Sequence, residues 1–381
     1  MEVLNGKYNS AKVFNCTELD SATRAQIHTL LNNEVSKDSN IVVMPDTHVG
    51  KGCVVGLTMT VTDKIMPNLV GVDIGCGVNM TRINAEHIEF QHLDKCIREN
   101  VPSGFSIRET PHKFADLTDI DKLKCANAIN LDRAYCSIGT LGGGNHFIEL
   151  DRDDEGNTYL TIHSGSRHLG VEVVEYYLKE GAKVLKEKGI TDVPYELTYL
   201  TDELKEDYLH DMFIVQDYAD WNRRAIRDEI CKYMKWYSKN DRDLFVATCV
   251  HNYVSDDNAC VVLRKGAISS REGERVIIPI NMRDGIIIGT GLGNPEWNCS
   301  APHGAGRLFS RKQAKQNFTV SQFKSTMDGV YCSCINPDTL DEAPFVYRDI
   351  NDILNVIGET VKVDKIIKPI YSFKASETRK W

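Results

Sequence analysis

Long helical segments are confined to one part of this chain, and that asymmetry limits its fold more than any other feature. Residues 171–188 and 203–238 run with few breakers and carry apolar side chains three and four apart, the period of a helix with one buried face. The second stretch includes Tyr218, Trp221, Ile226, Ile230 and Met234, a stripe that reads as a core-facing surface rather than a cofactor box. On both sides of these stretches the apolar runs are short. Residues 41–62 alternate Ile41–Met44 and Val54–Leu57 with Gly, Pro and Asp, a pattern of strands and tight turns. Leu69–Val72 is another apolar run and stops at Asp73; Thr158–Ile162 is β-prone and stops at His163, and Leu244–Val250 stops at His251. Strands are expected again from Cys260 to Ile288, and a last helix over Asp349–Ile357. A helical insertion at about residues 171–238 between β-rich halves predicts an α+β fold rather than a regular βαβ alternation.

The 381 residues allow two domains or one large one, and no repeat, low-complexity stretch or Pro/Ser-rich linker divides them. With 42% hydrophobic and 26% charged residues the chain reads as soluble and globular. No run approaches 18 consecutive apolar residues, which excludes a membrane-spanning helix. The first residues lack the basic and apolar regions of a signal peptide, and twelve cysteines without a repeated pattern suit a reducing cytoplasm, the expected location. A net charge of −9 argues weakly against a nucleic-acid partner. Local charge differs: Arg307, Arg311 and Lys315 recur every four residues and would share one face of a helix beginning just after His303. Arg223-Arg224 and Arg264-Lys265 add to an expected basic rim.

Six residues in glycine-rich or short apolar settings carry the chemistry. Asp73 and Cys76 lie in Gly-Val-Asp-Ile-Gly-Cys-Gly, His146 in Gly-Gly-Gly-Asn-His-Phe, His163 in Ile-His-Ser-Gly-Ser-Arg and His251 in Val-His-Asn-Tyr. Thiolate, carboxylate and imidazole hold divalent transition metals. Alone, Cys76 reads more readily as a buried turn cysteine and His163 or His251 as satisfied core histidines; four such positions at strand ends or glycine loops reverse the balance toward a metal site. Glu149, three residues after His146, is placed to bond a ligand or orient the histidine. His303 opens His-Gly-Ala-Gly-Arg, where free backbone N–H groups can approach a phosphate. Such a histidine serves as ligand, general acid/base or covalent nucleophile. The chain has no Walker P-loop, no Rossmann fingerprint beyond the weak glycine pattern at Gly289–Gly293, and no Lys-x-Asp-Gly ligase motif. Any nucleotidyl transfer therefore needs another nucleophile, and His303 is the best candidate.

Together these motifs resemble the RtcB family of RNA ligases. The blocks run from Met44-Pro-Asp-Thr-His-Val-Gly-Lys through those around Asp73, His146 and His163, then Gln216-Asp-Tyr-Ala-Asp-Trp-Asn-Arg, His251-Asn-Tyr-Val, Arg264-Lys-Gly-Ala and His303-Gly-Ala-Gly-Arg. They close with Glu342-Ala-Pro-Phe-Val-Tyr and Lys368-Pro-Ile-Tyr-Ser-Phe-Lys374. The resemblance implies a single large domain over 1–381 with mixed sheets surrounded by helices. It implies two Mn²⁺ ions bridged by Cys76, with Asp73 and His146 on one and His163 and His251 on the other; ligand type alone would equally accept Zn²⁺ or Fe²⁺. It further implies that His303 attacks the α-phosphorus of GTP, and that the guanylyl group then moves to an RNA 3′-phosphate. A 2′,3′-cyclic phosphate would first be opened, and a 5′-hydroxyl end would finally displace GMP. Nucleotide contacts are implied at Asn145, His146, Phe147, Ile148 and Glu149, at His251 and Asn252, at Pro279, Ile280, Asn281 and Met282, and at His303, Gly304, Ala305 and Gly306. Tyr347 would pack on guanine and Lys374 would donate a hydrogen bond to it.

The chain departs from the family where Pro279-Ile280-Asn281-Met282 stands for the usual Pro-Gly-Ser-Met, where Arg283, Asp284 and Ile286 replace small and hydroxyl residues, and where His168 stands for a commoner glycine. These departures and its shorter length suggest a divergent bacterial-type branch, acting in repair of cleaved RNA or in tRNA splicing. A monomer without membrane contact is expected, and an activating protein partner is left open. A metal-dependent cyclic phosphoesterase and a non-catalytic RNA-end-binding protein are the rival readings; the first needs the ligand set without His303, the second keeps the pocket without turnover.

Overall fold

Two sheets dominate the computed structural model, which describes residues 1–15, 18–85, 87–236, 245–256 and 261–375. The first has, in spatial order, β1 (Glu2–Asn5), β2 (Ser10–Val13), β3 (Ile41–His48), β4 (Val55–Thr60), β10 (Val261–Lys265) and β9 (Asn252–Asp256). The second has β12 (Arg275–Asn281), β13 (Gly285–Gly291), β15 (Val361–Lys374), β6 (Phe147–Arg152), β7 (Thr158–Ser164), β5 (Gly77–Ile83) and β8 (Phe245–Val250). A short pair joins β11 (Ala267–Ser269) to β14 (Ser300–Pro302).

Every pairing in the seven-stranded sheet is antiparallel. Register then decides which termini meet. Gly77 opens β5 opposite Ser164 at the end of β7 and Val250 at the end of β8, while Phe147 opens β6 opposite His163 and Lys374. Two strand beginnings and three strand ends thus share one edge of the sheet. Central strands are apolar on both faces: Ile286, Ile287 and Ile288 of β13 are all buried, as a strand covered on both sides requires.

The helices are α1 (Ser21–Leu31), α2 (Pro67–Val70), α3 (Phe90–Asn100), α4 (Leu131–Ser137), α5 (Arg167–Glu187), α6 (Asp202–Met234), α7 (Arg311–Asn317), α8 (Val320–Thr326) and α9 (Ile350–Ile357). The expected insertion is α5 and α6, packed on each other, and α6 lies against β7 and β5. α5 begins four residues before the predicted 171. Gly170 reads as a breaker, but its missing Cβ lets the first turn approach the Val72 carbonyl, which a Cβ would meet at 2.8 Å. α6 stops where Lys235 turns left-handed (φ 58°) and its N–H returns to Cys231 O. Tyr218, Ile226 and Ile230 of the expected stripe are buried, whereas Trp221 and Met234 are half-buried at its margin. Residues 237–238 of that helical stretch, Leu244 and Cys260 lie outside the described residues. The final helix forms as expected, capped by Asp349, whose side chain accepts from Asn351 N–H.

The expected basic rim is open only in part: the side chains of Arg224, Arg311 and Lys315 are exposed, whereas Arg223, Arg264 and Lys265 are buried. Arg223 is fully buried and donates to Gly75 O (2.7 Å) and Ser164 O (2.9 Å). Arg264 is buried on Ser300 and Ser255 hydroxyls, and Lys265 on the carbonyls of Asn68 and Lys51. Arg307 precedes α7 rather than belonging to it, because Ser310 caps the helix in a capping box with Gln313. Arg307, Arg311 and Lys315 nevertheless converge, on the buried carboxylates of Asp341 and Glu342. Their charge is largely neutralised within the protein. Among the described residues no helix is long and apolar enough to cross a membrane.

Candidate active site at one edge of the larger sheet

The loop from α2 to β5 delivers Asp73 and Cys76. Gly75 takes a left-handed conformation (φ 71°), and a Cβ there would lie 2.7 Å from the Gln216 backbone of α6, so only glycine fits between loop and helix. The turn closes through Cys76 N–H to Asp73 O at 3.1 Å. Asn252 staples it: its side chain donates to Asp73 O (3.1 Å) and its carbonyl accepts from Gly75 N–H (2.8 Å). On the neighbouring strands His146 stands just before β6, His163 near the end of β7 and His251 just after β8. The glycines before His146 make room for Arg167, since a Cβ on Gly142 would overlap its guanidinium.

Cys76 Sγ lies 3.4 Å from His146 Nε2 and 3.3 Å from His163 Nε2. These three ligand atoms all fall within 4.8 Å of one another. Asp73 Oδ2 is 3.1 Å from His146 Nε2, while Oδ1 accepts from Ser166 N–H at 2.9 Å. His146 Nδ1 bonds the Leu141 carbonyl (2.9 Å), which leaves Nε2 facing the cluster, as in metal sites. The His251 ring lies 5.1 Å from that of His163 and 4.7 Å from that of His303. It extends the row toward His303 rather than entering the tight cluster.

The charge state of the cluster suits a cation. Burial, then the negative charge of Asp73, pushes the Cys76 thiol well up. Burial, then neighbouring imidazoles, pushes His163 and His251 well down, so both are neutral donors. Burial opposes ionisation of Asp73, yet the hydrogen bond and charge of His146 hold its carboxyl well below the usual range. The Asp73 carboxylate, the Cys76 thiol and the neutral imidazoles of His163 and His251 form a donor set suited to a cation. A divalent ion would reverse the penalty on the Cys76 thiolate.

His303 follows β14 and faces β3. Its Nδ1 is 2.7 Å from Asp46 Oδ2, although the pair is not aligned as a hydrogen bond. The same oxygen accepts from the N–H groups of His303 and Gly304, both at 3.2 Å. Asp46 is fully buried and its Oδ1 has no hydrogen-bond partner among the described residues; the hydrogen bonds its carboxylate makes run through Oδ2 to the backbone of the His303 loop. Gly306 (φ 73°) lets the loop lie on β3: a Cβ would sit 2.1 Å from Asp46 O and 2.2 Å from Arg348 Nη1. His48, on the same strand, is pushed down to about 4 by burial and by the charge of His303.

A cavity of about 300 Å³ runs from the cluster past His303 to Tyr347 and Lys374. It is lined by Asp73, Cys76, His163, His251, Asn145, Phe147, Glu149, Asn252, Pro279–Met282, His303–Gly306, Tyr347 and Lys374. His146 opens instead on an adjoining cleft shared with Asp73 and Arg167. Ile148 is not brought to the cavity by its side chain. The period of two along β6 turns it to the opposite face, where it is fully buried in an apolar cluster. At the far wall Lys374 Nζ pairs with Glu342 (3.0 Å), which also accepts from the Tyr347 hydroxyl (2.5 Å) and Arg307 Nη1 (3.1 Å). Burial pushes Tyr347 up to about 12 and Glu149 up to about 7. Asn281 spends its side chain locally: Oδ1 accepts from the N–H groups of Arg283 and Asp284, closing the β12–β13 turn. Lys265 also lines the cavity.

Asp46, His48, Arg167, Arg223 and Glu342 had no individual role in the sequence reading. Asp46 carried a usable signal, a carboxylate inside the apolar run that becomes β3. Arg223 carried none, because its partners are 148 and 59 residues away.

The family model described as tRNA-splicing ligase RtcB matches residues 32–375. The RNA-splicing ligase RtcB of Escherichia coli K12 is 32% identical over 368 residues, covering 88% of this chain and 90% of that protein. The tRNA-splicing ligase RtcB of Archaeoglobus fulgidus is 27% identical over 435 residues, covering 92% and 89%. That of Aeropyrum pernix is 26% identical over 401 residues, covering 83% of each.

Proposed function

The chain belongs to the RtcB family and is an RNA ligase; we propose that it joins an RNA 3′-phosphate or 2′,3′-cyclic phosphate end to a 5′-hydroxyl end, using GTP and two Mn²⁺ ions. The observation that carries this reading is the pairing of His303 with the buried Asp46, beside a row of metal-ligand side chains. Asp73, Cys76, His146, His163 and His251 would hold the metals, which when bound supply positive charge to phosphate oxygens.

His303 is the nucleophile. With Nδ1 against Asp46, Nε2 is the nitrogen left to attack the α-phosphorus of GTP. A P–N bond forms, the α–β anhydride bond breaks and pyrophosphate leaves. Asp46 stabilises the positive charge that develops on the ring. In the next step the P–N bond breaks as an RNA 3′-phosphate oxygen takes the guanylyl group. The 5′-hydroxyl oxygen of the second end then attacks the RNA phosphorus, and GMP departs with its own phosphate. At the far wall, Tyr347 offers its ring to the base. The Lys374 ammonium, kept charged by Glu342, donates to the guanine carbonyl; adenine presents a donor at that position and leaves the ammonium unpaired.

Incubation with α-labelled GTP and Mn²⁺ should label the protein covalently, and His303→Ala should abolish labelling while the variant keeps native circular dichroism. Undiminished labelling of that variant removes His303 as nucleophile. Cyclic-phosphate hydrolysis by the wild type with no labelling and no joining would favour the phosphoesterase reading.

A further inference from the structure

Behind the Lys374 wall lies a cysteine pair that the ligation chemistry does not use. Residues 331–334 run beside β15: Tyr331 N–H bonds Ile370 O (3.0 Å) and Ser372 N–H bonds Tyr331 O (3.0 Å). The next N–H along β15, that of Lys374, finds no carbonyl and donates instead to Cys334 Sγ at 3.2 Å. Cys332 Sγ is 3.2 Å from Cys334 Sγ, closer than the van der Waals contact of two sulfurs and short of a bond. Ser333, between them, is clamped to α3 by Arg98 (2.6 Å) and by Asp94. The two sulfurs are therefore held together by a backbone fixed on both sides. Cys334 is buried and Cys332 is partly exposed, so a small oxidant can reach the pair.

We propose that Cys332 and Cys334 form a reversible disulfide, a modification site whose state is felt at Lys374. The oxidant class is a peroxide. The Cys334 thiolate attacks one peroxide oxygen; an S–O bond forms, the O–O bond breaks, and water leaves once the departing oxygen is protonated. The Cys332 thiol then attacks the resulting sulfenic sulfur; an S–S bond forms and a second water leaves. Two thiols lose two electrons and two protons, and one peroxide becomes two waters. A thiol reductant reverses it. Cys334 is the better thiolate of the two: the hydrogen bond from the Cys332 thiol, then the Lys374 N–H and ammonium, pull it below the usual thiol range.

Closing the S–S bond turns the Cys334 sulfur toward Cys332 and reduces its electron density, so the Lys374 N–H loses its acceptor at the last residue of β15. The Lys374 side chain reaches the cavity from that residue. The expected functional result rests on the nucleotide reading above: oxidation lowers GTP affinity ~10-fold, the worth of one displaced charged hydrogen bond.

The test treats full-length protein with hydrogen peroxide, then dithiothreitol. The tryptic peptide Ser325–Arg348 contains both sulfurs and no other cysteine, so its mass reports the disulfide without reference to GTP. The peptide should become lighter by two hydrogens and recover on reduction. GTP affinity, read by equilibrium binding, should fall and recover in parallel, and the corresponding peptide of Cys332→Ser should never become lighter by two hydrogens under the same treatment. A peptide that gains only oxygen, or does not react, overturns the proposed disulfide. A disulfide that forms with GTP affinity unchanged overturns its coupling to Lys374. Reduced protein that binds no GTP at all counts against the nucleotide reading, while the peptide mass still decides the disulfide.

Discussion

Glu149→Gln should make the metal-free protein more stable, strongly at pH 8 and only slightly at pH 5. Glu149 is buried on β6, and burial pushes its carboxyl from 4.5 to about 7. That penalty outweighs the charge of Lys374 and the Ser372 hydroxyl, which donates to Oε1 at 2.8 Å. A carboxyl raised in this way binds its proton more tightly folded than unfolded. Its contribution to stability is fully present below pH 4.5 and is lost as pH rises through 7. At about 1.4 kcal/mol for each pH unit between the two values, the ionised group costs the folded state ~3 kcal/mol at pH 8. Glutamine keeps the acceptor for Ser372 and never ionises, so the variant escapes that loss. The wild-type curve alone will not reveal the effect. His163 and His251, pushed well down by burial, act with the opposite sign: the unfolded chain takes up their protons below about 6.5, and stability rises with pH there. The difference between variant and wild type cancels that shared contribution. Urea unfolding in chelator at pH 5, 6, 7 and 8 should show a gap growing from ~1 to ~3 kcal/mol. A gap that stays constant across the series refutes the claim that Glu149 is held protonated by burial.

Asp46→Asn keeps the shape of the residue behind His303 but removes its charge, and the rate of covalent labelling by GTP should fall roughly 10²-fold with GTP affinity little changed. An unaltered rate would mean that Asp46 only anchors the His303 loop. Adding Mn²⁺ to chelated protein at ~100 times its dissociation constant should stabilise it by ~2.7 kcal/mol, read as a rise in melting temperature. Cys76→Ala should remove most of that rise; an equal rise in the variant would put the metal elsewhere.

What the sequence made legible was local. A β-prone run that stops at a histidine is a short-range pattern, and it suffices to locate His163 and His251 at strand ends. Glycines before His146 and around Cys76 mark loops under close approach, and Gly75 and Gly142 do border α6 and Arg167. What stayed hidden depended on distant partners. Arg223 and Arg264 look like surface charge in a linear reading, yet both are buried, Arg223 with Nη1 on the carbonyls of Gly75 and Ser164 and Arg264 on the hydroxyls of Ser300 and Ser255. The four-residue spacing of Arg307, Arg311 and Lys315 suggested one helix face, yet a serine cap starts the helix at Arg311 and two carboxylates from residues 341 and 342 gather the three charges. Spacing reported neighbourhood correctly and element boundaries poorly.

The shared edge of the larger sheet also sets a condition on folding. A slip of one residue between β5 and β7 would turn His163 to the opposite face and separate it from Cys76. The same holds for Phe147, which opens β6, and for His146 just before it. A molecule whose strands have paired out of step therefore lacks the full set of donors, however native its strand content. Bound metal per chain in a preparation should then count correctly paired sheets, and a substoichiometric value would measure misfolding that far-ultraviolet spectra overlook.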